Sequence, residues 1–172
     1  VGAEGTLGIV TEATLHVVPR TPHRGVACLT FDSIDSALKT VPGILQCGPT
    51  AVELIDKYIV QLSRENLELG RALSFVEGEP AALLVVEFAG HLPDQVDDGF
   101  QLLERQLQGT TGLQKIIRSE SPEQADRIWR CREAGAPLLL SIPGAQKPIP
   151  FVEDTAVDPA RLPDFTRRFR EI

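Results

Sequence analysis

The sequence lacks several features that whole classes of protein require. It contains no methionine, one tryptophan, one tyrosine and only three cysteines, which are Cys28, Cys47 and Cys131. These thiols are odd in number and widely spaced, and they form no Cys-x-x-Cys pair. That pattern argues against a disulfide scaffold, a zinc site or an iron–sulfur cluster held by this chain. We expect buried structural thiols in a reducing cytosol.

Basic charge and long apolar runs are also scarce. The 172 residues carry 17 Lys and Arg against 24 Asp and Glu, a net charge of −7. This balance argues against general nucleic-acid binding, which favours a basic surface. No apolar run approaches the ~20 residues needed to span a bilayer, so we expect no transmembrane segment. Hydrophobic residues make up 42% of the chain, enough for a packed core.

An alternating segment opens the chain. Apolar and polar residues alternate over residues 7–18, which predicts a strand. Pro19 and Pro22 then break the pattern, and we place a boundary at residues 19–24. His16 and His23 lie on this strand and in its exit loop. Neither has a second ligand at metal spacing, so we expect no metal site.

Strand and helix signals alternate after this boundary. Strands are predicted at Val26–Phe31, Ala51–Ile55, Ala82–Phe88, Leu113–Ile117 and Pro148–Val152. Helices are predicted between them and after Asp158 from apolar spacing and from cap residues such as Ser121 before Pro122. This order fits an α+β fold: a ferredoxin-like antiparallel sheet with helices packed on one face. A doubly wound parallel sheet is the alternative, but it should show longer β-branched runs.

Two features could carry chemistry. Glycines at positions 2, 5 and 8 would let a backbone approach a ligand, although a simple turn explains the same spacing. Arg132 follows Ile128 by four residues and Trp129 by three, so we place it on the helix face toward the core, with Arg130 facing solvent. An arginine there needs a cleft or a carboxylate. The candidate carboxylates are Glu87, Glu153 and Asp154.

The opening residues carry a family resemblance. The run A-E-G-T-L-G-I-V-T-E-A-T-L resembles the G-S-E-G-T-L-G-I-V-T-E-A-T segment of the FAD-linked oxidases, vanillyl-alcohol-oxidase-like flavoproteins that include D-lactate dehydrogenases and the D subunit of glycolate oxidase. The departure is Ala3 where serine is usual. In that family the segment closes the FAD-binding domain against the flavin. The resemblance therefore implies FAD and a cofactor-binding set of Glu4, Gly5, Thr6, Leu7, Gly8, Ile9 and Val10.

The rest of the chain resembles the C-terminal substrate or cap domain of the same family. The matching pieces are V-E-L-I-D, L-V-V-E-F, W-R-C-R and E-D-T-A-V. The resemblance implies that residues 1–20 are the final strand of the FAD-binding domain and that residues 21–172 are a cap domain incomplete at its C-terminus. It also implies that Arg132 holds the substrate carboxylate, with Lys147 and Asp154 as weaker candidates. No catalytic residue is expected in the chain, because the family's histidine-rich segment and base do not occur in it.

The function implied by this resemblance belongs to a longer parent protein. We expect a FAD-dependent dehydrogenase or oxidase that oxidises a small 2-hydroxy acid, of the D-lactate or glycolate type, by hydride transfer to FAD. The chain alone should be inactive and should need the remainder of its FAD-binding domain. The run from W-R-C-R-E-A-G to F-V-E-D is most similar to long bacterial members that carry a downstream iron–sulfur module. We therefore expect an electron-acceptor module or subunit, and a location in the cytoplasm or at the membrane periphery.

A second reading belongs to a different class. The same elements could form a non-catalytic ferredoxin-like module that binds a small effector or a partner subunit. Flavin content of the full-length protein discriminates between the two readings, because only an enzyme would be yellow and bleached by a 2-hydroxy acid.

Overall fold

The structure, a computed structural model, describes residues 5–149 and 155–171. Its strands are β1 (His23–Phe31), β2 (Ala51–Asp56), β3 (Ala82–Gly90) and β4 (Leu113–Arg118). Its helices are α1 (Ile34–Leu45), α2 (Lys57–Glu65), α3 (Leu67–Ala72), α4 (Pro93–Gln106), α5 (Pro122–Glu133), α6 (Gly135–Ser141) and α7 (Leu162–Phe169), the last preceded by a 3₁₀ turn at Pro159–Arg161.

The four strands form one antiparallel sheet in the order β2-β3-β1-β4. Two strand–helix–strand units, β1-α1-β2 and β3-α4-β4, interleave in this sheet, so that their first strands β1 and β3 lie side by side at the centre. This is the split arrangement of ferredoxin-like folds. The predicted α+β class and antiparallel sheet are confirmed, and the parallel alternative does not hold.

One face of the sheet packs against α1 and α4. Leu29, Leu84 and Phe88 point from the central strands into this layer, where the Phe88 and Phe100 rings meet edge to face with centroids 5.4 Å apart. Gly99 of α4 makes this approach possible. A Cβ at that position would lie 2.5 Å from the Phe88 ring, closer than packed carbon atoms can come.

The other face is also covered, which differs from the expected single layer of helices. Helices α2, α3 and α5 bury it against Val26, Cys28, Leu83 and Val85. The physical reason lies in the central strands, since Val26–Phe31 is buried along its whole length and both faces of it are apolar. The β2–β3 connection supplies α2 and α3, and the chain after β4 supplies α5.

Two predicted strands are not found among the described residues. Residues 5–22 have no regular secondary structure, and the apolar side chains of the expected strand over residues 7–18 are exposed. A strand requires a neighbour for its backbone hydrogen bonds, and the sheet offers none to this segment. Of the strand expected at Pro148–Val152, Pro148 and Ile149 are irregular and the remainder lies outside the described residues.

Candidate functional site

Helix α5 carries the candidate substrate-binding arginine. The helix begins as predicted: the Ser121 hydroxyl accepts a hydrogen bond from the Gln124 amide at 3.2 Å, and Pro122 takes the first helical position. Hydrogen bonds from its own backbone and from Ser121 lower the pKa of Glu123 in the same turn. The buried stripe of α5 is Ala125, Ile128 and Cys131.

Arg132 lies beside that stripe, not on it. Its side chain is 47% exposed, so the expectation that it faces the core is wrong. The stripe steps from Ile128 by three residues to Cys131, which turns position 132 toward the edge of the sheet. Arg130 is 64% exposed and lies 3.8 Å from Glu68, which agrees with its predicted solvent-facing position.

The partner of Arg132 is a carboxylate that the sequence reading did not name. Arg132 Nε donates to Glu53 Oε2 at 2.8 Å. Glu53 lies on β2 and its side chain is 37% exposed. Of the three expected partners, Glu87 is engaged elsewhere, and Glu153 and Asp154 lie outside the described residues. Within the described residues, Glu53 is the one acceptor recorded for the Arg132 guanidinium.

Glu87 of β3 joins the sheet to α5 at a second point. Its Oε2 accepts a 2.8 Å hydrogen bond from Trp129 Nε1 and lies 3.7 Å from Arg24 Nη1, while Arg24 also pairs with Asp126. The Glu87 side chain is only 16% exposed. A carboxylate inside the apolar run L-L-V-V-E-F was a usable signal for this network, because a buried charge requires partners.

Two open clefts border this network. One, of about 820 Å³, is lined by Arg20, Arg24, Glu87 and Asp126 among others. The other, of about 530 Å³, shares the last three of these residues and adds Trp129 and Glu133. Arg132 lines neither cleft. Trp129, on the same flank of α5, lines the smaller one.

The remaining predicted substrate-binding residues are not assembled around Arg132 in the described part of the chain. Lys147 is exposed and donates to the carbonyl of Ile142, and no described contact joins it to Arg132. Asp154 lies outside the described residues. The described residues also contain no group of three or more His, Cys, Asp or Glu side chains that could hold a metal ion.

The described part of the predicted cofactor segment, residues 5–10, is exposed to solvent. Gly5 has φ +71°, a left-handed turn conformation that favours glycine, and neither Gly5 nor Gly8 has an atom within 4 Å of the place a Cβ would occupy. Leu7, Ile9 and Val10 are at least 84% exposed. Glu4 lies outside the described residues. The open space beside Gly5 and Gly8 is compatible with the close approach of a flat ring system such as a flavin.

The three thiols are free, and Cys28 and Cys131 are buried as expected, whereas Cys47 is not fully buried. Burial and the neighbouring Cys131 raise the pKa of Cys28 to about 12, and burial raises that of Cys131 to about 11. Burial also raises the pKa of Cys47, which is partly exposed. Because the thiolate is the reactive form, Cys28 and Cys131 are poor nucleophiles at neutral pH. None of the helices in the two described stretches has both the length and the apolar character needed to cross a bilayer.

Comparison with known proteins places these features in a family. The profile of the family described as "FAD linked oxidases, C-terminal domain" matches residues 20–172. The chain is 33% identical to the D-2-hydroxyglutarate dehydrogenase of Pantoea ananatis, over 99% of this chain and 18% of that protein. It is 24% identical to the glycolate oxidase subunit GlcD of Bacillus subtilis and 25% identical to the D-lactate dehydrogenase of Archaeoglobus fulgidus, in each case over 100% of this chain and 35% of that protein.

The chain thus spans between about a fifth and about a third of the length of these relatives. The matched region takes in the sheet, both helix layers and the α5 helix that carries Arg132. With residues 20–172 matched, the chain belongs to the family of FAD-linked oxidase C-terminal domains.

Proposed function

We propose that the chain forms the substrate-side part of a FAD-dependent enzyme that oxidises a small 2-hydroxy acid. The observation that carries this proposal is the state of Arg132, which is half exposed and engaged through Nε alone among the described contacts. Its outer edge, with Nη1 and Nη2, can donate two parallel hydrogen bonds to a substrate carboxylate. The names of the relatives, which refer to D-2-hydroxyglutarate, D-lactate and glycolate, support this class of substrate.

In this proposal the protein binds and orients the acid. Arg132 fixes the carboxylate, and Lys147 and Asp154 are secondary candidates for binding the same acid. Glu4 to Val10 lie along the flavin, with the glycines allowing close approach of the backbone. FAD bound there would supply the acceptor for the hydride that leaves the α-carbon of the acid. The base that takes the hydroxyl proton belongs to another part of the parent protein.

The proposal also divides the chain. Residues 1–20 complete a FAD-binding domain, and residues 21–172 form the cap domain. The exposed apolar side chains of Leu7, Ile9, Val10, Leu15, Val17 and Val18 support this division, because an alternating apolar strand is stable only when its partners cover it. The chain alone would be inactive.

An electron acceptor is part of the same proposal. The D-2-hydroxyglutarate dehydrogenases among the relatives are long proteins, of which this chain matches 18%. That length leaves room for an iron–sulfur module or another acceptor domain beyond the flavin. We propose that the parent protein works in the cytoplasm or at the periphery of a membrane.

Anaerobic bleaching of the full-length protein tests the function. The purified protein should be yellow, and D-2-hydroxyglutarate, D-lactate or glycolate should remove its flavin absorbance. A colourless protein, or a flavin that none of these acids reduces, would favour the non-catalytic module.

Two lysine substitutions test the role of Arg132. Arg132→Lys keeps the charge but loses the planar fork. The fall in kcat/KM should correspond to a loss of about 2–4 kcal/mol of transition-state stabilisation. Arg130→Lys on the same helix should cost about 0–0.5 kcal/mol, as exposed substitutions do. Equal, small effects would mean that the carboxylate is held elsewhere.

A further inference from the structure

Two carboxylates on one face of the sheet hold helix α5. In the β2–β3 register Ala51 lies opposite Glu87 and Glu53 lies opposite Val85. Residues opposite one another, and residues two apart on a strand, share a face, so Glu53 and Glu87 both project toward the layer that contains α5. Each accepts a hydrogen bond from one α5 side chain: Glu87 from Trp129 and Glu53 from Arg132.

These contacts fix the helix in rotation as well as in place. Trp129 and Arg132 are three residues apart and therefore lie on the same flank of α5. The hydrogen bond between Glu87 and the indole of Trp129 fixes the rotation of α5 about its own axis, because an indole side chain has few rotamers. The hydrogen bond between Glu53 and Arg132 lies about one helical turn after Trp129. It restricts the arginine side chain itself, which has four rotatable torsions.

The atom that Glu53 engages decides what remains for a ligand. A guanidinium has five N–H donors in one plane. With Nε directed at Glu53 Oε2, 2.8 Å away, the plane of the group is set, and within residues 5–149 and 155–171 no contact is found for the outer edge that carries Nη1 and Nη2. The ion pair of Glu53 and Arg132 has no net charge. Binding of a substrate carboxylate at this pair therefore depends on the alignment of the guanidinium donors more than on long-range electrostatic attraction.

We propose that Glu53 is a positioning residue that aligns the Arg132 guanidinium for a substrate carboxylate. The inference rests on the proposed role of Arg132 and adds Glu53, to which the family resemblance gave no role. Its effect is to restrict the arginine before the acid arrives. Ordering one long side chain on binding weakens an affinity by about 2- to 10-fold, and this is the advantage that Glu53 supplies.

The chain contains a matched control pair on the same helix. Arg130 Nη1 lies 3.8 Å from Glu68 Oε1, and both side chains are largely exposed. Glu68→Ala removes an exposed acidic partner from an arginine of α5, as Glu53→Ala does, but it leaves Arg132 aligned. A general effect of charge or helix stability would therefore appear in both variants.

The experiment measures binding as well as turnover in the full-length flavoprotein. Pyruvate, the 2-oxo acid formed from D-lactate, is titrated calorimetrically to give Kd, and D-lactate kinetics give KM and kcat. Glu53→Ala should raise Kd and KM by about 2- to 10-fold with kcat changed less than 2-fold. Glu53→Gln keeps an acceptor oxygen and should stay within about 2-fold of the parent, as should Glu68→Ala.

The outcomes separate this inference from the proposed function. If Arg132→Ala leaves Kd and KM unchanged, the arginine does not bind the acid and the proposed function loses its anchor. If Arg132→Ala weakens binding while Glu53→Ala leaves binding unchanged or makes it tighter, the positioning role of Glu53 is overturned. The proposed function stands in that case. An equal loss in Glu53→Ala and Glu53→Gln, or a Glu53→Ala effect that persists in the Arg132→Ala background, would overturn it as well.

Discussion

Replacing Trp129 with phenylalanine should loosen α5 from the sheet. The change removes the indole N–H that donates to Glu87 Oε2 at 2.8 Å and keeps an aromatic ring on the same flank of the helix. The Glu87 side chain is 16% exposed, so water can replace the lost donor only in part. A hydrogen bond to a charged group contributes about 1.5–3 kcal/mol. Arg24, 3.7 Å away, offsets some of the loss, and we expect the free energy of unfolding to fall by about 1–2 kcal/mol.

Urea unfolding of the chain, followed by far-ultraviolet circular dichroism, measures this change. Fluorescence is unsuitable because Trp129 is the only tryptophan. Arg130→Ala is the control, since it changes an exposed residue of the same helix and should stay within about 0.5 kcal/mol of the parent. A Trp129→Phe loss no larger than that of the control, at an unchanged denaturant dependence, would refute the view that the Glu87 contact holds α5.

Three further outcomes follow from the described residues. Under native conditions near neutral pH, a thiol reagent should label Cys47 alone, slowly, and all three cysteines after unfolding; native labelling of Cys28 or Cys131 would contradict their burial. Burial raises the pKa of Cys28 to about 12 in the folded state, against 9.0 for an ordinary thiol. The free energy of unfolding should therefore fall as pH rises between these two values. Urea titrations across this pH range should show a flatter dependence in Cys28→Ala. Ser121→Ala removes the α5 cap and should lower stability by about 1 kcal/mol in thermal unfolding, whereas an unchanged midpoint would show that the cap contributes nothing.

The sheet could be predicted from the sequence because its signals are local. Each of the four strands contains one of the predicted β-rich runs and extends beyond it by one to three residues, and the predicted Ser121 cap marks the start of α5. The second helix layer could not be predicted in the same way. Whether a buried strand is covered on one face or on both depends on which helices return to it, and that is a tertiary property.

The candidate site shows the same limit at the level of single residues. The spacing from Ile128 placed Arg132 on the buried stripe, but steps of three and four residues are both compatible with a helix, and Cys131 is the residue that is buried. Nothing in the sequence around Glu53 identifies it as the partner of Arg132. The two residues meet because β2 and α5 pack on the same face of the sheet, although they are far apart in the sequence.

The position of β1 at the centre of the sheet has a consequence for how the chain reaches its native state. Cys28 lies between Val85 of β3 and Ile117 of β4, so β1, which is buried from Val26 to Phe31, pairs only with strands that follow it in the chain. High contact order of this kind slows folding, and during synthesis the segment Val26–Phe31 leaves the ribosome well before either neighbour. Until then α1 on one face and α2 and α3 on the other are the elements that can shield it. We expect nascent chains that end before β4 to need chaperone protection, and ribosome-stalled chains of increasing length would show at which strand that need ends.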